Sequence, residues 1–587
     1  MVINLLKKNS LFIFFGLFLL YLFLVFDTDF HGPDQPIYFA YTASVIEDGD
    51  LNAVNHLDET YSYYLPSGKI GVSKTYNLPD FHNHGGVIFW MPFYAYAKSI
   101  YYIAKKLALI GITTYDFKKV AQCIMSFSTI VFAFFATLLT YMLTRVFFSH
   151  KTALVSTLAI FFGTPFFYYT ITEVGNGNMV ACLFAIFLIW FGSYTINSMK
   201  GFHWFLYGIF FSIAVAVKLD LWFQIVFIAG LFIVFLLRKQ TKIKNGLYFI
   251  LGLMPGLMLK HINDYIKYGT FHIGEASLFN FKDSYLFEQL FSSYHGFFYT
   301  SPIFYLCTLG LLIVIKNLSK NFKDLYNFRT ANSVSPKLTS DLFLFLLGAY
   351  AVFKILIISR RYAWGGGTCG ARPLLTEFPV FVLLYARLLQ EKKQPLISFF
   401  ITICALMFIG WNFLVISEYL GGVDLKYVTG ALPIGKRIAS LGNIMTLLLH
   451  IKDLHLKLKV LLPLFVGMYV VLYHVIITVK IPRPSFWYIR SQEHNKFFEK
   501  FAVFVVYLFI MYNAVTLLNI TNNSRNVERL TQEGFFENVS ILTPLEFEKQ
   551  ENLGSMNEMI EYFTLQRDFG RADKIRLIKE EMYGDTE

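Results

Sequence analysis

The sequence predicts an all-α polytopic membrane protein of about thirteen transmembrane helices, and three observations carry that prediction. Of 587 residues 56% are hydrophobic and only 15% charged, with a mean hydropathy of +0.51. That is far more apolar side chain than one soluble core consumes. The apolar residues come in runs of about 20, the length of helix that crosses a bilayer. The short loops between runs carry Lys and Arg in the alternation that a positive-inside topology requires. A net charge of +12 dispersed over such loops, with no interleaved basic and aromatic face, points away from a nucleic-acid partner.

Taken in order, the run at 11–26 follows Lys7 and Lys8 and is succeeded by Asp27, Thr28 and Asp29, not by a small-residue cleavage site. It reads as an uncleaved first span with a cytoplasmic N-terminus. Residues 27–118 then form a large first extracytoplasmic loop. Up to His84 it holds Asp27, Asp29, Asp34, Glu47, Asp48, Asp50, Asp58, Glu59 and Asp80 against only Lys69 and Lys74. Inside it, 90–104 is apolar but interrupted by Pro92 and Lys98 and closed by Lys105 and Lys106, the pattern of an interfacial helix.

Clearer spans follow near 120–145, 152–172, 178–198, 204–217, 220–237, 246–260, 302–316, 341–359, 374–390, 396–416, 459–479 and 500–520. The chain divides into a multi-span domain, 1–520, and a polar extracytoplasmic tail, 521–587. The end of the tail has an amphipathic pattern in Met559, Phe563, Leu565, Ile575 and Ile578. The expected location is the cytoplasmic (inner) membrane, with the lipid bilayer as a partner throughout. Five scattered cysteines, Cys123, Cys182, Cys307, Cys369 and Cys404, make no disulfide framework and read as small core residues. The aromatic share of 19% suits lipid-facing surfaces but equally an AT-rich genome, and decides nothing about function.

The alternation gathers polar groups on one side of the membrane. Charges at span ends pair, snorkel or line a cavity, because an unpaired buried charge costs several kcal/mol. Lys218 and Asp220 in a short link fit either a structural ion pair or a site. Glu173 with Asn176 and Asn178 offers groups for hydroxyls, while Gly175 and Gly177 equally suit a plain helix connection. Arg360, Arg361 and Arg372 flank a glycine-rich loop around Trp364. Guanidinium forks and backbone N–H groups there suit a phosphate and the indole a sugar ring, or the arginines simply snorkel.

In the first loop, Asp34 sits just past the membrane surface, where a carboxylate in a partly desolvated cleft would act as general base toward an acceptor hydroxyl. Asp27 with Asp29, and Asp48 with Asp50, are two-carboxylate options for a divalent cation, Mg or Mn, or else solvated turn residues. His82 and His84 lack a third ligand nearby and read as hydroxyl or phosphate contacts more than as a zinc site. There is no glycine-rich nucleotide-binding loop between a strand and a helix, and no cofactor is required.

Three segments resemble the glycosyltransferase C superfamily, multi-span enzymes that take a sugar from a polyprenyl-phosphate donor, like the protein mannosyltransferases and lipid A aminoarabinose transferases. The first is Gly32-Pro33-Asp34-Gln35-Pro36-Ile37-Tyr38, continued by Asp48-Gly49-Asp50-Leu51-Asn52, Tyr76-Asn77-Leu78-Pro79, His84-Gly85-Gly86 and Trp90-Met91-Pro92-Phe93-Tyr94. It is similar to the family's first extracytoplasmic loop. The second, Leu290-Phe291-Ser292-Ser293-Tyr294-His295-Gly296-Phe297-Phe298-Tyr299-Thr300-Ser301-Pro302, is similar to its Ser-Pro segment before a span. The third, Trp364-Gly365-Gly366-Gly367-Thr368-Cys369-Gly370-Ala371-Arg372, is similar to its Trp-Gly-Gly loop.

The resemblance runs to about residue 390, and past that only hydropathy agrees. It implies a catalytic Asp34, although Pro33 intervenes after Gly32 and Gln35 replaces the usual glutamate, which removes an acidic neighbour. With it, Arg372 and also Arg360 and Arg361 are assigned to the donor phosphate, and Tyr38, His82, His84, Glu173, His295 and Trp364 are candidate sugar contacts. The implied partners are a polyprenyl-phosphate sugar donor and a glycan, lipid or protein acceptor. The competing readings are a transporter or flippase of a lipid-linked or phosphorylated solute, and a glycan polymerase or ligase. The transporter is disfavoured by the lack of an internal repeat and by charges gathered at one surface. The polymerase would place its decisive residues in a large later loop.

Overall fold

The computed structural model describes residues 2–31, 34–57, 70–78, 83–107, 112, 115–196, 200–237, 241–271, 284–292, 295–321, 336–360, 369–391, 395–420, 442, 448, 451, 453–478, 492–541 and isolated positions beyond 556. Each apolar run is helical, the conformation in which a segment satisfies its own backbone N–H and C=O groups without water. In chain order these are α1 Val2–Val25, α2 Asp34–Glu47, α3 Val87–Lys106, α4 Phe117–Phe147, α5 His150–Gly163, α6 Gly177–Ile196, α7 Gly201–Val217, α8 Ile225–Leu237 and α9 Ile243–Tyr268. They continue as α10 Ile303–Lys320, α11 Pro336–Ile358, α12 Phe378–Gln390, α13 Pro395–Leu420, α14 Leu454–Thr478 and α15 Gln492–Gln532.

The protein is an all-α polytopic membrane protein. Among the described residues eight helical segments are long and apolar enough to cross a membrane, and three more, Leu11–Val25, Gly177–Ser193 and Gly201–Val217, are apolar but shorter. The run expected as one span at 152–172 is divided. Thr164 takes an extended backbone before Pro165, as a residue preceding proline prefers, and a separate turn Phe166–Ile171 follows. The span expected from 220 opens as a 3₁₀ turn, Leu219–Gln224, before α8 begins.

Local chemistry sets several boundaries. Asp116 caps α4 by accepting from Lys119 N at 2.6 Å, Ser149 caps α5 by accepting from Thr152 N at 3.2 Å, and Gly269 ends α9 in the left-handed conformation. Helices α7 and α9 approach closely. A Cβ on Gly252 would lie 2.1 Å from Phe205 O, and one on Gly256 2.1 Å from Ser212 Oγ, so small residues let the two backbones touch.

The interior is aromatic and aliphatic, with Trp90, Trp204, Tyr141 and Tyr207 fully buried. The predicted interfacial helix corresponds to α3, which buries Trp90, Tyr94 and Ala97 and packs between α2 and α4. Four cysteines are buried and Cys404 is half-buried.

The last helix runs without a break past residue 520, over 41 residues or about 60 Å, and packs on α7, α9 and α2. Beyond it, Val539–Ile541 pairs in parallel with Ile70–Val72 of the first loop. The first loop and the C-terminal segment are thus joined at one end of the bundle.

Candidate active site

Asp34 is the first residue of α2, where the helix dipole favours a carboxylate. Arg372 opens a 3₁₀ turn, Arg372–Glu377, reached through Gly370. That glycine has φ +66°, and a Cβ on it would lie 2.4 Å from Pro165, so a side chain is excluded on both counts. Tyr169 Oη donates to Cys369 O at 3.2 Å and holds the turn against the Phe166–Ile171 segment. The Arg372 guanidinium thereby reaches Asp34 Oδ2 and pairs with it across 338 positions of sequence. The two side chains are 25% and 15% exposed, so a ligand can reach the pair.

Tyr38 lies one helical turn beyond Asp34. Its ring packs on Trp90 at 4.9 Å, and its hydroxyl faces Gly177, where a Cβ would lie 2.9 Å away. Gly177 closes the turn that holds Glu173. Glu173 is buried and accepts from Asn176 Nδ2 at 3.3 Å. Burial pushes its carboxyl up to about 8 against the opposing pull of Lys218 and Asn176, so the protonated form dominates at neutral pH. Asn178 N donates to Asn176 Oδ1 at 2.9 Å, Lys218 Nζ donates to Asn178 Oδ1, and Lys218 lies 3.9 Å from Asp220. The Glu173 turn and the Lys218–Asp220 link are therefore one polar network, adjoining Tyr38.

Of the other sequence-derived residues, His84 and His295 pack beside elements of this centre. His84 is buried, with its ring 4.4 Å from that of Tyr41 on α2. His295 is buried with φ +60°, and burial holds its imidazole at about 3 and therefore neutral. It precedes the Phe297–Thr300 turn, whose Thr300 Oγ1 is 3.6 Å from a Cβ built on Gly370, so the Ser-Pro segment abuts the Arg372 turn. Arg360 lies in the turn after α11, its N–H donating to Ile357 O at 3.0 Å. His82, Arg361 and Trp364 lie outside the described residues.

The carboxylate pairs considered for a cation are held by protein donors. Asp27 accepts from Asp29 N at 3.0 Å and pairs with His31 at 2.8 Å, and Asp29 pairs with Lys119. Asp48 pairs with His56 at 2.7 Å and accepts from Asn55 Nδ2 at 3.1 Å. Asp50 accepts from Ser44 Oγ at 2.6 Å, Asn52 N at 3.0 Å and Asn526 Nδ2 at 2.8 Å. Burial raises the Asp50 carboxyl despite these donors. At Asp48 burial also pushes upward, but His56, Asn55 and Arg529 outweigh it and the net direction is down. Among the described residues no three His, Cys, Asp or Glu side chains are grouped to hold a metal ion.

Two arrangements escaped sequence reasoning. Lys457 Nζ donates to Leu24 O at 3.0 Å and Phe26 O at 2.6 Å, capping α1, while Asp453 accepts from Thr28 at 2.5 Å and pairs with Lys119 at 3.2 Å. Lys354 and Glu377 form a fully buried pair, with Nζ 3.0 Å from both carboxylate oxygens, and Thr376 accepts from the same Nζ at 2.7 Å. This pair anchors the end of the 3₁₀ turn that begins at Arg372. A single Lys and a single Glu inside two apolar runs were the available signal, since charges inside spans seek each other. Searched against protein-family models, curated proteins and solved structures, the chain has no match in any of the three.

Proposed function

We propose that the protein is a membrane glycosyltransferase that moves a sugar from a polyprenyl-phosphate donor to an acceptor hydroxyl at the extracytoplasmic face of the inner membrane. The topology that goes with this reading has about thirteen crossings and a cytoplasmic N-terminus. The observation that carries it is the meeting of Asp34 with Arg372, a proton acceptor beside a phosphate-binding cation at one accessible point of a buried, aromatic bundle.

The chemistry is an inverting displacement. The acceptor oxygen forms a bond to the anomeric carbon as the bond from that carbon to the phosphate oxygen breaks. The hydroxyl proton passes to Asp34, and the polyprenyl phosphate leaves with the electron pair, its charge stabilised by Arg372. Without donor, Arg372 pairs with Asp34. A donor phosphate competes for the guanidinium and frees the carboxylate to take a proton. Arg360 and Arg361 are the further phosphate contacts of this reading, and Tyr38, Glu173, His84, His295, His82 and Trp364 the sugar contacts. The step requires no cofactor, and a divalent cation such as Mg or Mn would only add to the charge stabilisation that Arg372 supplies.

The test is turnover of radiolabelled polyprenyl-phosphate sugars by the purified protein in lipid, with released polyprenyl phosphate as the readout. Wild type is expected to release it, and Asp34→Asn to lose about a hundredfold or more, the contribution of a general base. Donor binding with no turnover by either protein would instead support a lipid-linked solute transporter, and flipping across the bilayer is then the assay.

A further inference from the structure

Helix α2 is gripped at the end away from Asp34. Asn519, Asn522, Asn526 and Arg529 follow one another on α15 at spacings of three and four, which puts them on one face of the helix. Each bonds to the turn that follows α2. Asn519 Oδ1 accepts from Leu51 N at 3.1 Å, and Asn522 Nδ2 donates to Gly49 O at 3.1 Å. Asn526 Nδ2 donates both to Asp48 O at 3.0 Å and to Asp50 Oδ2 at 2.8 Å.

The fit is close. Gly49 has φ +75°, and a Cβ there would lie 2.6 Å from Asn522 Nδ2. Apolar packing of α2 on α3 buries area but tolerates sliding along the helix axis, because it is non-directional. Hydrogen bonds to particular backbone atoms do not tolerate it. Since α2 is a rod of 14 residues, or about 20 Å, displacement of its far end is passed to its first residue.

We infer that Asn522 and Asn526 are positioning residues for Asp34: by holding the 48–51 turn they set where the first residue of α2 meets Arg372. The kinetic part of this inference rests on the transferase reading, and the geometric part does not. Both are tested on the full chain in lipid with Asn522→Leu/Asn526→Leu and the milder Asn526→Ala.

The geometric arm uses Asp34→Cys/Arg372→Cys, with the five native cysteines replaced by serine, and measures the yield of a short thiol-to-thiol crosslink. The yield is expected to fall when either clamp variant is added, and an unchanged yield in folded, monodisperse protein overturns the inference. The kinetic arm keeps Asp34 and Arg372 and measures donor turnover. There kcat is expected to fall about tenfold or more, the cost of a small misplacement, while the donor KM stays within about twofold. A loss of kcat that merely tracks the loss of folded protein overturns it. If the crosslink yield falls but wild type turns over no donor, the positioning stands and the transferase reading fails.

Discussion

The two ends of α2 treat their carboxylates in opposite ways. At the start, Asp34 meets Arg372 from a distant part of the chain, and both side chains remain partly open to ligand. At the far end, Asp50 is 1% exposed and its oxygens are occupied by Ser44, Asn52 and Asn526. Residue type alone does not separate the two, since each is an aspartate in the same acidic loop. What separates them is access: a reactive carboxylate must be able to exchange its partner, whereas a structural one is buried with its donors in place.

The contrast is sharpened most by removing the two sides of the partly open pair. Asp34→Asn is expected to lower turnover about a hundredfold or more at a small stability cost, because the amide oxygen still accepts from the guanidinium. Arg372→Ala is expected to lower kcat about a hundredfold to a thousandfold, the worth of a donor aimed at developing charge. Arg372→Lys should recover only part of it, since an ammonium lacks the planar fork. Equal activity of the Lys and wild-type proteins would mean that the guanidinium geometry plays no role.

The far end is expected to respond in the reverse sense. Asp50→Ala removes the acceptor of Asn52 N and one acceptor each from Asn526 Nδ2 and Ser44 Oγ, which keep Asp48 O and Asn52 O. In a buried turn this should cost about 1–3 kcal/mol, read as a lower thermal midpoint in detergent. The activity remaining per folded molecule should exceed that of Asp34→Asn. If Asp50→Ala instead abolished turnover at full stability, the assignment of the two ends would be exchanged.

Most of the helices were legible in the sequence because apolar runs of membrane-spanning length admit only one backbone solution. The runs near 204–217 and 396–416 became α7 and α13 with ends shifted by a few residues. In the sequence Asp34 and Arg372 carry separate expected roles at one site but no sign of their direct pairing, since nothing in local periodicity relates positions 338 apart. Apart from the Lys218–Asp220 link, partnership among polar residues was not legible. Asn519 and Asn522 stand in glycosylation-like triplets, yet Asn519 is 2% exposed and hydrogen-bonded to Asn263 at 3.1 Å. A triplet carries no information on burial, and whether an asparagine is a modification site or a clamp depends on which helix packs across it.

Glu173 offers a pH test of the network beside the partly open pair. Its folded pKa of about 8 lies above the ordinary value of 4.5, so between those values the folded protein binds the proton more tightly than the unfolded chain. Stability should therefore fall as pH rises from about 4.5 to about 8, by up to about 1.4 kcal/mol per unit, and level off above. Glu173→Gln should flatten that slope. An unaltered slope would assign the pH dependence to another group.

The smallest expected effect lies at the rim of the clamp. Arg529 donates to Asp48 Oδ1 at 3.2 Å, but its side chain is 47% exposed. Water competes for the guanidinium, salt screens the attraction, and holding a long side chain in one rotamer costs entropy. Arg529→Ala is accordingly expected to change stability by less than about 1 kcal/mol, with His56 and Asn55 still satisfying Asp48. Raising the salt concentration should shrink even that difference. Asn526→Ala on the same helix face should cost more, because it removes two bonds at once and one of them serves the buried Asp50. A larger loss from Arg529 than from Asn526 would show that the charge at the rim, and not the asparagine row, holds the end of α2.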